Sequence, residues 1–199
     1  LARFHKEHYG SVQPASHDIP FCGGILGVLG YDSGNALNHV DNAPAPTIYS
    51  APALGAYDWA IVQDHLLQRS VLVAQPCVSA ARRAEILVRL HARKSSEDSG
   101  FKLDNDFISN FSEDQYKHAF EAIQNYIHAG DCYQVNLAQR FAASYRGSPW
   151  HAYRQLRAVA AAPFSAYLTL DNDDAVMSLS PERFLSLHGH HVQTAPIKG

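Results

Sequence analysis

The sequence predicts an α+β fold built on antiparallel strands. Three observations lead there. Two hairpin patterns follow one another near the C-terminus, residues 165–170 with 175–179 and residues 184–187 with 191–195. Two capped amphipathic helices precede them, beginning at Ser112 and Ser148. Strand and helix patterns do not alternate regularly, which argues against a parallel βαβ sheet. The 199 residues suffice for one large domain or two small ones.

Residues 21–31 set Gly23, Gly24, Gly27 and Gly30 among Ile25, Leu26, Val28 and Leu29. The spacing is not GxGxxG and no Gly-Lys-Ser/Thr follows, so a phosphate loop is not indicated. The run reads as a buried strand whose glycines admit another backbone at close range. Residues 41–55 carry Pro44, Pro46 and Pro52 and read as a loop. Residues 57–63 and 70–74 read as a strand pair joined by polar residues 64–69. Residues 80–93 place Ala84, Leu87, Val88 and Leu90 among arginines and read as a helix. Residues 94–100, Ser-rich and charged, read as an exposed linker.

Ser112 and Gln115 have the spacing of a capping box. Behind them Tyr116, Ala119, Phe120, Ile123, Tyr126 and Ile127 share one helical face. Gly130 supplies the expected C-terminal stop. Ser148 and Pro149 open the next helix, with Tyr153, Leu156 and Val159 on one stripe. In the following hairpins, the connections are residues 171–174 and 188–190, both rich in turn formers.

Composition narrows the function classes. Hydrophobic residues at 46% and charged residues at 18% suit an ordinary globular core. A net charge of −3 argues against a general nucleic-acid surface. No apolar run approaches the roughly 20 residues of a membrane helix. The opening Leu1-Ala2-Arg3-Phe4-His5 has no initiator Met or signal-peptide layout and reads as an internal cut. Cys22, Cys77 and Cys132 are far apart and form no CxxC pair, so reduced thiols in a cytoplasmic protein are expected.

Two metal patterns fail on inspection. Asp171, Asp173 and Glu182 fit positions 1, 3 and 12 of an EF-hand loop, but Ala175 and Val176 occupy positions that need an oxygen ligand and a glycine. His188, His190 and His191 alternate faces along a strand and read as a solvated turn. Glu182 is more promising. It falls between two apolar strand patterns, where a carboxyl partly withdrawn from water is suited to carry a proton. Lys198, in the run Pro196-Ile197-Lys198-Gly199, can act as a nucleophile only as the neutral amine, which requires desolvation or a neighbouring cation.

Several runs carry a resemblance when taken in order. They are Gly23-Gly24-Ile25-Leu26-Gly27-Val28-Leu29-Gly30-Tyr31-Asp32, Tyr57-Asp58-Trp59-Ala60, and Gly130-Asp131-Cys132-Tyr133-Gln134-Val135-Asn136-Leu137. Further on come Ala162-Pro163-Phe164-Ser165-Ala166-Tyr167-Leu168, Ser180-Pro181-Glu182-Arg183-Phe184 and Thr194 to Gly199. Together the chain resembles the chorismate-using enzymes, and within them the aminodeoxychorismate synthase component I branch.

The resemblance implies an α+β body of the anthranilate synthase component I type, here incomplete, with antiparallel sheets packed as a sandwich and helices outside. Residues 1–100 would be an N-terminal region with its start cut away, and residues 101–199 the first part of a chorismate-binding domain. The implied activity is amination of chorismate at carbon 4 to give 4-amino-4-deoxychorismate, the precursor of para-aminobenzoate and folate. Ammonia would come from a glutamine amidotransferase subunit. The matching lysine is Lys198, which would add to ring carbon 2. The matching acid is Glu182, which would protonate the departing hydroxyl. Magnesium is implied as a cofactor, with its ligands expected beyond residue 199. Pro163, Phe164 and Ser165 match a block that binds tryptophan in some relatives. No nucleic-acid or membrane partner is implied, and this length alone is expected to be inactive. A branch with Pro-Ile-Ala-Gly in place of Pro196-Ile197-Lys198-Gly199 includes anthranilate synthases, which add ammonia at carbon 2. A non-catalytic relic that keeps a tryptophan- or partner-binding surface is the other alternative.

Overall fold

A computed structural model describes residues 2–10, 19–38, 52–92 and 100–197. They fall into two compact units, Leu1–Ser95 and Ser96–Gly199.

The first unit runs α1 (Ala2–Tyr9), β1 (Gly24–Val28), α2 (Ser33–Asn38), β2 (Ala53–Tyr57), β3 (Trp59–Asp64), β4 (Arg69–Ala74) and α3 (Ala80–His91). β1 pairs antiparallel with β2, and Gly27 sits opposite Leu54. A Cβ on Gly27 would run into the Ala53 carbonyl oxygen and lie 2.8 Å from the Leu54 Cα. The glycine therefore admits a close backbone, as the sequence suggests. The strand is not buried, however: Leu26 is 45% exposed and, just beyond the strand, Leu29 is 63% exposed. A two-stranded ribbon offers each side chain few neighbours to cover it. Pairing with β1 also makes residues 53–55 strand rather than loop, since the ladder satisfies their backbone groups. Residues 41–51 of that expected loop, and residues 94–99 of the expected linker, lie outside the described residues.

β3 and β4 form the expected pair, in register from Trp59 opposite Ala74 to Asp64 opposite Arg69. The Asp64 carboxylate closes their turn by accepting from the N–H groups of Leu66 and Leu67 at 3.0 and 2.9 Å. Ser79 caps α3 through its hydroxyl, which accepts from the Arg82 N–H at 3.2 Å. Ile86 of α3 is buried, together with Cys22 and Val78. Gln75, also buried, ties this small core together. Its amide donates to the Cys22 carbonyl, and its backbone N–H donates to the Asp58 carbonyl at 2.7 Å.

The second unit runs β5 (Phe101–Leu103), β6 (Ile108–Ser109), α4 (Glu113–Ala129), β7 (Phe141–Ala142), β8 (Tyr145–Gly147), α5 (Pro149–Ala160), β9 (Phe164–Thr169), β10 (Ala175–Ser180), β11 (Arg183–His188) and β12 (His191–Ala195). The capping box of α4 is formed as expected. Ser112 Oγ accepts from the Gln115 N–H at 3.2 Å, and the Gln115 side chain accepts from the Ser112 N–H at 2.9 Å. Gly130 ends the helix at φ 84°, in the left-handed region glycine favours. α5 starts at Pro149 as expected, but its stripe is shorter than its periodicity suggests. Ala152 and Tyr153 are buried, whereas Leu156 is 48% and Val159 87% exposed. The aromatic contacts to β9 come from the first turns only, with Trp150 and Tyr153 lying 5.1 and 5.4 Å from the Tyr167 ring.

All strand pairings among the described residues are antiparallel, in six two-stranded ribbons flanked by helices. This is the α+β class that the hairpin patterns indicate. No helix of the described residues is long and apolar enough to cross a membrane.

Two predictions follow from the helices. Ser112→Ala removes the hydroxyl half of the capping box and should destabilise by about 1 kcal/mol in chemical denaturation; no measurable loss would show that α4 does not depend on its cap. In α3, the Arg82 guanidinium, bonded to Glu85 at 2.6 Å and backed by Arg89, holds the Glu85 carboxyl below its ordinary value. The stabilisation is therefore present above the carboxyl's unfolded value and is lost as pH falls through the lower, folded one. NMR titration should find the depressed midpoint, and Arg82→Gln should move it back up.

Candidate active site

Register gathers three separated runs at one end of two consecutive hairpins. In the first hairpin Phe164, at the start of β9, stands opposite Ser180, at the end of β10. In the second, Arg183, at the start of β11, stands opposite Ala195, at the end of β12. Only Pro181 and Glu182 separate the hairpins. Thus Pro163-Phe164-Ser165, Ser180 to Phe184 and the end of β12 share one edge of the unit.

The backbone of Glu182 is held from both sides. Ser180 Oγ donates to the Glu182 carbonyl at 3.0 Å and accepts from the Glu182 N–H at 3.3 Å. A short serine turn of this kind suits a tight connection between strands. On the other side, the Arg183 guanidinium carbon lies 4.8 Å from the centre of the Phe164 ring. Its Nη1 donates to Gln193 Oε1 at 3.3 Å. Both Glu182 and Arg183 are half-buried. The register of β11 and β12 shifts between Arg183 and Ser186, and Thr194 Oγ1 bridges the irregular stretch by donating to the Phe184 carbonyl at 2.7 Å.

Pro163 is exposed, while Phe164 and Ser165 are half-buried. Ser165 Oγ donates to the Ala162 carbonyl at 2.8 Å, which fixes the entry to β9. Lys198 lies outside the described residues. The run from Asp131 to Leu137 has no helix or strand, and no hydrogen bond or ion pair joins it to Glu182 among the described residues. A groove of about 440 Å³ lies elsewhere, lined by Asn105, Ser109, Asn110 and Arg140. Among the described residues no group of three or more His, Cys, Asp or Glu side chains could hold a metal ion. The described residues therefore present no ready-made cage for a metal ion.

The contacts of Arg183 with Phe164 and Gln193 were not legible beforehand. Arginine beside a candidate acid is visible in the sequence, but its partners lie 19 and 10 residues away and carry no local signal. Only strand register joins them.

Residues 2–199 match the family described as chorismate binding enzyme. The chain belongs to this family. Among its relatives, aminodeoxychorismate synthase component 1 of Klebsiella aerogenes is 44% identical over 191 residues, covering 95% of this chain and 41% of the relative. The same component of Escherichia coli strain K12 is 42% identical, covering 92% and 40%. Anthranilate synthase component 1 of Lactococcus lactis is 27% identical, covering 92% and 42%. The crystal structure of anthranilate synthase component I from Streptococcus pneumoniae TIGR4 superposes with a TM-score of 0.78 at 25% identity, over 96% of this chain and 45% of that one. The fold is therefore that of the chorismate binding enzymes, and the chain spans about two fifths of the length of these curated relatives.

The Arg183–Phe164 contact should couple the two residues energetically. A double-mutant cycle with Arg183→Met and Phe164→Leu should return about 0.5–1 kcal/mol in denaturation. Additive effects would show that the stacked geometry is not maintained.

Proposed function

We propose that the whole protein to which this chain belongs aminates chorismate at carbon 4 to give 4-amino-4-deoxychorismate. The observation that carries the reading is the identity gap: 44% to an aminodeoxychorismate synthase component 1 against 27% to an anthranilate synthase component 1 over similar spans. Lys198 agrees with it, since the alanine of the other branch has no amine to offer.

In this reading the neutral Lys198 amine adds to ring carbon 2, both conjugated ring double bonds shift by one bond, and the 4-hydroxyl departs as water with a proton from Glu182. Ammonia then adds at carbon 4, both double bonds shift back and the lysine is expelled as its amine. One difficult substitution becomes two easier ones. The location of Glu182 in a short, doubly bonded turn supports its role, because a proton donor must be held at a fixed position. Only Pro196 and Ile197 separate Lys198 from Ala195, so three Cα–Cα steps keep their Cα atoms within about 11 Å by chain length alone. Magnesium on the substrate carboxylates would take ligands from outside this chain's residues. Ammonia from a glutaminase partner completes the proposal, and the name component 1 carried by two relatives supports a further component.

The test is product analysis with chorismate, ammonia and magnesium. The 4-amino product is expected; anthranilate as the main product would overturn the proposal. Lys198→Ala should lower the 4-amino product by orders of magnitude, each tenfold corresponding to about 1.4 kcal/mol of barrier. Lys198→Arg should not rescue it, because guanidinium stays protonated. Mass spectrometry of enzyme quenched in turnover should find the substrate skeleton on Lys198. Wild-type rates in Lys198→Ala would reduce this lysine to a bystander.

A further inference from the structure

We infer that Arg183 is a positioning residue: stacked on Phe164 and bonded to Gln193, it fixes the turn that carries Glu182. The inference rests on the reading of Glu182 as the proton donor and names what holds that donor in place.

Glu182 has one neighbour anchored on each side. Before it, Ser180 Oγ holds the turn by two hydrogen bonds to the Glu182 backbone. After it, the Arg183 side chain reaches in two directions. Its guanidinium lies over the Phe164 ring at 4.8 Å, against the strand that precedes Ser180 in the first hairpin. Its Nη1 reaches Gln193 of β12 at 3.3 Å. Arg183 is thus a cross-brace between the two hairpins, and the residue it braces against in sequence is the candidate acid. The planar guanidinium is suited to this, since it can stack on a ring and donate in its own plane at once. Lysine offers a point charge without the planar fork and so fixes this pair of contacts less well. The brace sits where the ladder is interrupted: the β11–β12 register shifts between Arg183 and Ser186, so the Arg183–Ala195 pair is set apart from the regular pairs of Ser186 to His188 and the side-chain contacts add to what it supplies.

Arg183 acts through Glu182 in this account and touches no substrate, which separates it from an arginine that binds a carboxylate. In the whole protein, supplied with ammonia and magnesium, chorismate consumption should show Arg183→Met lowering kcat about 10- to 100-fold, as expected for a misplaced catalytic group, with KM changed by no more than about twofold. Phe164→Leu should lower kcat in the same way. Phe164→Tyr, which keeps the ring face, should retain the rate. The Arg183→Met, Phe164→Leu double variant should be no worse than the poorer single. On a Glu182→Gln background, Arg183→Met should add no further loss. A raised KM with unchanged kcat would overturn the inference and assign Arg183 to substrate binding. Multiplicative losses in either double variant would overturn it as well. Should Arg183→Met fail to fold, the Phe164→Leu and Phe164→Tyr pair decides: equal rates in the two would sink the idea. The wild-type product is read separately. A carbon-2 product would remove the proposed function while leaving the kcat ratios to judge the brace.

Discussion

The candidate site depends on the antiparallel register of two consecutive hairpins. Phe164 and Ser180 are 16 residues apart, and Arg183 and Ala195 are 12 apart, yet each pair stands opposite across a ladder. Because side chains alternate faces along a strand, a slip of one residue would turn each partner to the wrong side. The tight turn through Pro181 and Glu182 then joins the two ladder ends. Strand pairing thus does the work of bringing remote parts of the sequence together, and side-chain chemistry only refines the result.

Much of this architecture could be read from the sequence because its signals are local. A Ser-x-x-Gln box, a glycine after an amphipathic run and proline at a helix start each act within a few residues, and all three appear where expected. The two C-terminal hairpins were equally plain from their alternating runs. What escaped was non-local. The strand at Ala53–Tyr57 lay within a proline-marked segment, and only its pairing with β1 defines it. On α5 the covered stripe stops at Tyr153, since periodicity shows which residues share a face but not how far a neighbour extends over it. At the candidate site, the sequence singled out Glu182 and the Pro163 to Ser165 run, but it could not show that Arg183 reaches across to Phe164.

Local terms contribute to what holds the described structure. Its buried apolar residues are Cys22, Val78, Ile86, Ala152 and Tyr153. Elsewhere large apolar groups remain in contact with water, and Phe184, next to the Glu182–Arg183 pair, is 88% exposed. An exposed side chain contributes little of the roughly 1.5–3 kcal/mol that full burial of a large apolar group supplies. Caps, turns and ladder bonds each add about 1 kcal/mol net. The Arg183–Phe164 contact is one more local term of this size.

That balance bears on how the proposed chemistry divides its labour. In the proposed chemistry the acid, Glu182, lies at the junction before β11, and the nucleophile, Lys198, follows β12 in the sequence. The same ladder, Arg183 opposite Ala195, precedes one and leads to the other. On this proposal the ladder does not specify which side chain stands at position 198. Replacing the lysine by alanine would leave the ladder and the acid in place while removing the covalent route. The remaining machinery could still assist departure of the hydroxyl, and ammonia would then be free to attack carbon 2 itself. Two branches of a family can in this way share a fold and a proton donor and differ in product through one amine, because the fold supplies geometry and the side chain at one position selects the bond that forms.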